Sequence, residues 1–264
     1  MKINLLGDWV DSLQAAGRYT FLRQEAADSA GLSQEAVKKG LQRLARRKRV
    51  AKVKDYFYVI VPTEYLSVGS PPASWFIHPL MDAMHLPYYV GLLSAAALHG
   101  ASHHQPQEFQ VVTDRFVRPL RIARQRIHFV TKRHLEQTPI VSVKTPTGSI
   151  RVSTPEATVA DLVRFNKLAG RLSNVATVIS ELSASLKPEL LVKAVETGNE
   201  LPVIQRLGYI LDLVGADNLA APLADWIQAR HPRPTPLVPG GSVSHASRNS
   251  RWNIIENDRI EVET

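Results

Sequence analysis

The sequence predicts an α+β protein in which an N-terminal winged helix-turn-helix is followed by a larger α+β domain. Three features predict it. An amphipathic, strongly cationic helix lies at residues 33–49, a β-branched hairpin follows it, and beyond residue 80 helical periodicity alternates with short apolar strands and Pro/Gly turns. The 264 residues suffice for two cores. The expected division is a DNA-binding domain at 1–62, a linker at 63–79 packing on the second domain, and a C-terminal α+β domain at 80–264.

Composition narrows the function classes. With 44% apolar and 21% charged residues the chain has the make-up of an ordinary globular protein, and the absence of cysteine excludes disulfides, thiol nucleophiles and thiolate zinc sites. The start, MKINLLGDWVDSL, acquires Asp8 and Asp11 before any signal-like apolar run, and no stretch approaches membrane-spanning length, so a cytoplasmic protein without membrane contact is expected. The net charge is +8. Residues 1–62 hold 12 Lys and Arg against 6 Asp and Glu, whereas the other 202 residues hold 20 against 18. A basic module joined to a near-neutral one is the electrostatic footprint of a nucleic-acid binder.

In order, Leu5 to Ala16 is a helix with Leu6, Trp9, Val10 and Leu13 on its apolar stripe and Gly17 after it. Tyr19 to Phe21 is a short strand, and Leu22 to Ala30 a second helix ended by Gly31. Ser33 caps the third helix, in which Val37, Leu41 and Leu44 recur at i, i+4 and i+7 on a core-facing stripe. Val50 to Lys54 and Tyr56 to Val61 form the wing, with Asp55 at the reversal. Pro62 to Pro79 is an irregular connector whose Trp75, Phe76 and Ile77 are expected to pack onto the second domain. There follow helices near Leu80 to Met84 and from Tyr88 to Gly100, strands at Phe109 to Thr113 and Arg126 to Thr131, and a hairpin of Ile140 to Lys144 with Ser149 to Val152. Ser153 or Thr154, with Pro155 at the first helical position, opens a helix to about Phe165. Further helices are Ser173 to Leu186, Pro188 to Val195, and Leu201 to Arg230 broken near Gly215 and Pro222, before a closing hairpin of Trp252 to Ile255 with Arg259 to Glu263.

The expected DNA-binding residues are Ser33, Gln34, Lys38, Lys39, Gln42 and Arg43 on the third helix, with Arg46, Arg47, Arg49, Lys52 and Lys54 on backbone phosphates. A second basic stretch, Arg115, Arg118, Arg121, Arg124, Arg126, Lys132 and Arg133, runs without an acid from 115 to 134. It is open between a charged strand edge, a further phosphate-contacting surface, and a face for an acidic protein or RNA. No catalytic group, metal or cofactor is expected. His99, His103 and His104 lack a nearby carboxylate and a common helix, and Glu156 and Asp161, five apart, diverge by about 140° on theirs. Ser94 and Ser102 lack a strained nucleophile elbow, and there is no P-loop.

The successive blocks YFYVIVPTEY, YYVGLLSAAALHGA, FQVVT, GSIRVSTPEATVADLVR, RLGYIL and RWNIIEND resemble, in that order, the AbiEi antitoxins of type IV toxin–antitoxin systems. The resemblance implies an N-terminal domain that represses its own operon at inverted repeats in double-stranded operator DNA. It also implies a C-terminal domain that opposes an AbiEii-type nucleotidyltransferase toxin, without an obligatory complex between the two proteins. A ligand-responsive winged-helix regulator is the alternative reading, and an enzyme in the second domain the third.

Overall fold

The computed structural model describes residues 5–101, 106–198 and 200–262. Its chain runs α1 (Leu5–Ala15), β1 (Thr20–Leu22), α2 (Arg23–Ala30), α3 (Gln34–Arg46), β2 (Val50–Lys52), β3 (Phe57–Ile60), α4 (Ile77–Ala83), β4 (Tyr88–Val90), α5 (Leu92–Leu98), β5 (Phe109–Thr113), β6 (Leu120–Ile122) and β7 (Gln125–Thr131). It continues with β8 (Ile140–Thr145), β9 (Gly148–Ser153), α6 (Pro155–Arg164), α7 (Arg171–Leu182), α8 (Pro188–Gly198), α9 (Leu201–Leu213), α10 (Asp217–Gln228), β10 (Thr235–Pro236), β11 (Ser247–Asn249) and β12 (Ile254–Glu256). This is a mixed α+β chain. It divides into two compact units, one of residues 1–88, 107–132 and 142–151, the other of 89–106, 133–141 and 152–264.

In the first unit, α1, α2 and α3 close on a sheet of order β1-β3-β2, both pairs antiparallel, with Phe21 opposite Tyr58 and Ala51 opposite Val59. The core joins Leu6 and Val10 of α1, Phe21, Val37, Leu41 and Leu44 of α3, and Tyr58 and Ile60 of the hairpin. Trp9 meets the Phe21 ring edge-on at 5.2 Å and Tyr58 stacks on it at 5.6 Å. Gly31 ends α2 in the left-handed region at φ 59°, and the Ser33 hydroxyl accepts from the Ala36 N–H at 3.3 Å, which starts α3. The connector is ordered. Phe76 and Ile77 are fully buried, α4 begins at Ile77, and the Trp75 ring sits edge-on to Tyr19 at 5.2 Å and Tyr65 at 5.4 Å. The Trp75 ring therefore packs against Tyr19 and Tyr65, while its carbonyl accepts from the Thr147 hydroxyl at 2.7 Å, a residue of the stretch expected as the second domain. Further along, β5 and β7 are parallel and β6 returns antiparallel to β7. The three-residue β6 is too short to leave a periodicity in the sequence.

In the second unit, Tyr89 and Val90 belong to β4, and Val90 pairs in parallel with Val152 of β9. The expected helix from Tyr88 is thus a strand followed by the seven-residue α5. Tyr88, Tyr89 and Val90 are all buried, and a strand covered on both faces shows the continuous apolar run that a buried helix also shows. α6 starts as capping chemistry requires, with Pro155 in its first turn and the Thr154 hydroxyl accepting from Ala157 at 3.2 Å. Its two buried carboxylates do separate work: Asp161 accepts from the Tyr89 hydroxyl at 2.6 Å, and Glu156 from the Lys187 N–H at 3.2 Å. α6 packs against α5, α7, α8 and α9. Pro222 lies inside α10 without breaking it, held by the buried row Leu219, Leu223 and Ile227. The closing sheet has order β10-β12-β11, so β12 pairs upstream with Ser247–Asn249 rather than with 259–262, and Glu263 of the expected strand lies outside the described residues. That upstream partner sits in a polar Ser/Arg/Asn run with no strand propensity.

This packing can be probed at two places. Trp252 is fully buried over Gly208, where a Cβ would enter its ring. Gly208→Ala should destabilise the fold by about 2–3 kcal/mol, the usual range for overpacking, read as a fall in urea midpoint with helical circular dichroism retained at low urea. Burial, joined by the hydrogen bond to Glu256, pushes the Tyr209 phenol up to about 12, and burial does the same at Tyr88. Between about pH 10 and 12 these two phenols therefore hold more protons in the native state than in the unfolded chain, so the stability they contribute is level below pH 10 and is lost as pH rises through that window. Melting temperatures from pH 8 to 12 should show this fall, and Tyr209→Phe should lessen it.

Candidate nucleic-acid interface

Burial of Val37, Leu41 and Leu44 on one side of α3 turns Gln34, Lys38, Lys39, Gln42, Arg43, Arg46 and Arg47 outward, and none of the seven is buried. Lys38, Gln42 and Arg46 form one row at i, i+4 and i+8, and Lys39, Arg43 and Arg47 the adjoining row. Among the described residues no ion pair or side-chain hydrogen bond engages any of these six. Their heads face water, long-armed and unneutralised.

Gln34, Arg49 and Lys52 have partners. Gln34 donates to the Gln24 side-chain oxygen at 2.7 Å, and Gln24 in turn donates to Asp28 at 2.8 Å, which ties the start of α3 to α2. Arg49 is bridged to Asp11 of α1, just past the end of α3. Lys52 pairs with Asp55 at 3.0 Å in the wing. The Lys52 hydrogen bond and charge, with Arg23 and Lys38 behind them, hold the Asp55 carboxyl below its ordinary value.

The first row of α3 and the wing enclose a concavity of ≈ 510 Å³ lined by Arg23, Lys38, Gln42, Arg46, Lys52, Asp55 and Tyr58, with Leu41 and Ala45 at its floor. Arg23 is not legible in the sequence as a site residue because it lies on α2. Its backbone N–H donates to Tyr56 O at 2.8 Å, which brings the start of α2 against the wing. Such a concavity, with four cations and one already paired carboxylate, suits a phosphate backbone.

The second basic stretch is not one surface. Arg115 and Arg118 line a separate concavity of ≈ 720 Å³ together with Lys54 of the wing. Arg115 pairs with Asp114 at 3.0 Å, which lowers the Asp114 pKa. Arg121 lies opposite Arg126 on the β6–β7 ladder, and Arg126 reaches Glu108 at 3.0 Å. Arg124 occupies the turn between these strands, Lys132 follows β7, and Arg133 falls in the other unit. His99 Nε2 is 2.7 Å from Ser153 O, while Ser102, His103 and His104 lie outside the described residues. Among the described residues no cluster of three or more His, Asp or Glu is arranged to hold a metal ion, and no helix is long and apolar enough to cross a membrane.

Comparison with known proteins adds two findings. The crystal structure of the RV2827C protein from Mycobacterium tuberculosis is similar, with a TM-score of 0.65 at 14% identity over 95% of this chain and 90% of that one, a likeness of fold. No curated protein matches the chain. Residues 89–213 match the AbiEi antitoxin C-terminal domain, a family that is not one of enzymes. The matched stretch begins at the first residue of the second unit, runs from β4 through α9, and includes the STPEATVADL and RLGYIL blocks. Over residues 89–213, therefore, the chain is similar to the C-terminal domain of the AbiEi antitoxins.

Proposed function

We propose that the chain is an antitoxin that also represses its own operon, binding operator DNA through a winged helix-turn-helix at residues 1–62 and opposing an AbiEii-type nucleotidyltransferase toxin. The observation that carries the DNA-binding half is the two-row cationic face of α3, turned to solvent, without ion pairs among the described residues and fixed in direction by the buried stripe behind it. In this reading α3 enters the major groove, with Gln34, Lys38, Lys39, Gln42 and Arg43 toward base edges. Arg46, Arg47, Lys52 and Lys54 meet phosphates on either side. Ser33 serves as the helix cap, and its early N–H groups face the backbone. Arg49, bridged to Asp11, acts mainly by bracing α1 against the end of α3.

The antitoxin half rests on the matched domain. The toxin partner rests on the kind of system to which such domains belong.

The DNA test is a mobility-shift titration of the full chain on its own promoter over a range of salt. Lys38→Ala with Lys39→Ala should weaken binding and lower the magnitude of the log–log salt slope by about 0.9 for each phosphate no longer neutralised. Unchanged affinity and slope would remove α3 from the interface. For the antitoxin half, co-expression with the proposed AbiEii-type nucleotidyltransferase toxin should restore growth, and continued arrest would sink the pairing.

A further inference from the structure

The wing carries Lys52 into the concavity beside α3 and, two residues later, Lys54 into the concavity formed with Arg115 and Arg118. From this we propose that the loop at residues 114–119 is a second contact to duplex DNA. It would lie on the flank of the site that α3 reads, with Arg118 and Lys54 on backbone phosphates and Phe116 against the sugars and base edges of the minor groove. The proposal rests on the DNA-binding reading above and extends it to residues outside the winged helix.

The loop is built to present its tip. Val117 is buried and anchors the middle, Pro119 stiffens the exit, and Phe116 is 76% exposed. Its neighbours in the concavity are Arg115, Val117, Arg118 and Lys54, over an apolar floor that includes Met84 and Leu86. The base of the hairpin that follows is clamped. Gln125 Nε2 donates to Ser70 Oγ at 2.9 Å and to Pro71 O at 2.6 Å, and Gly69, at φ +87°, leaves room for Ala123. Loop, wing and α3 all belong to the same compact unit, so a common support lies behind both concavities.

The chemistry favours a duplex. Asp114, the carboxylate within the loop, is paired with Arg115, and Arg118 has no ion pair or side-chain hydrogen bond among the described residues. A bare aromatic between two arginines matches the apolar wedge and flanking cations that minor-groove binders use. An acidic protein surface would use the same cations, but it would not need Lys54 to stand two residues from Lys52 of the α3 concavity.

The experiment is hydroxyl-radical footprinting and a salt-dependent binding titration of the full chain on its own promoter, comparing Lys54→Ala, Phe116→Ala, Arg118→Ala and Arg118→Glu. Circular dichroism verifies that each variant is folded. Lys54→Ala and Arg118→Ala should each lower the salt slope by about 0.9 and shorten the protected region at one edge, leaving the α3 protections in place. Arg118→Glu should weaken binding further, and Phe116→Ala should weaken it roughly tenfold with the slope unchanged. Wild-type footprint and slope in all the loop variants would overturn the proposal while leaving operator binding by α3 intact. So would loop variants that bind DNA normally but no longer rescue cells from the toxin, which would assign the loop to a protein partner. Absence of any footprint from the unaltered chain would overturn both this inference and the DNA-binding reading it rests on.

Discussion

Everything proposed for the DNA-binding face depends on the burial of Val37, Leu41 and Leu44 along one stripe of α3. Each buried side chain of this size contributes about 1.5–3 kcal/mol, so the stripe outweighs any preference of the solvated cations opposite it. Turning the helix by even one residue step, about 100°, would drive lysines into the core. Gly40 completes the constraint. A Cβ there would stand 2.6 Å from Leu6 Cδ2, so the missing side chain lets α1 lie close against α3. The direction of the cationic face thus follows from apolar packing, and the charges themselves decide only what it can meet.

That logic explains which parts are readable from the sequence. The cap at Ser33, the stripe, the hairpin and the outward turn of Lys38, Lys39, Gln42 and Arg43 are consequences of spacing within a few residues, and they are legible there. The pairings Gln34 with Gln24 and Arg49 with Asp11 join residues ten and 38 apart, and nothing in the local pattern announces them. Arg23 enters the site only because α2 is brought against the wing, and Lys54 leaves the α3 concavity for another only because the hairpin turns between them. Tyr88 to Val90 reads as helix for a different reason. A strand buried on both faces loses the alternation that would distinguish it from a helix.

The matched blocks of the second unit, and the RWNIIEND run beyond the matched stretch, take part in packing locks. RLGYIL and RWNIIEND meet in the second unit: Gln205 donates to Trp252 O at 2.9 Å, and Trp252 covers Gly208. Asp212 accepts from Trp252 Nε1 at 2.6 Å and from Arg251 at 2.8 Å. Likewise STPEATVADL meets YYV through Asp161 and Tyr89, and the Ser153 and Thr158 hydroxyls lie 2.6 Å apart at the start of α6. Buried polar groups this well satisfied are costly to alter singly, because each change strands its partner away from water. The carboxylates that a search for catalysis would single out, Glu156 and Asp161, are acceptors in such locks.

The contrast between the two kinds of polar contact bears on where the chain can bind. In the second unit, polar groups in the core are held by partners they cannot exchange cheaply. In the first, the ion pairs Lys52–Asp55 and Arg115–Asp114 stand in water, where such pairs contribute little. Trading either carboxylate for a phosphate therefore costs little, while the pair keeps the long side chain near its working position and reduces the entropy penalty when it is finally fixed.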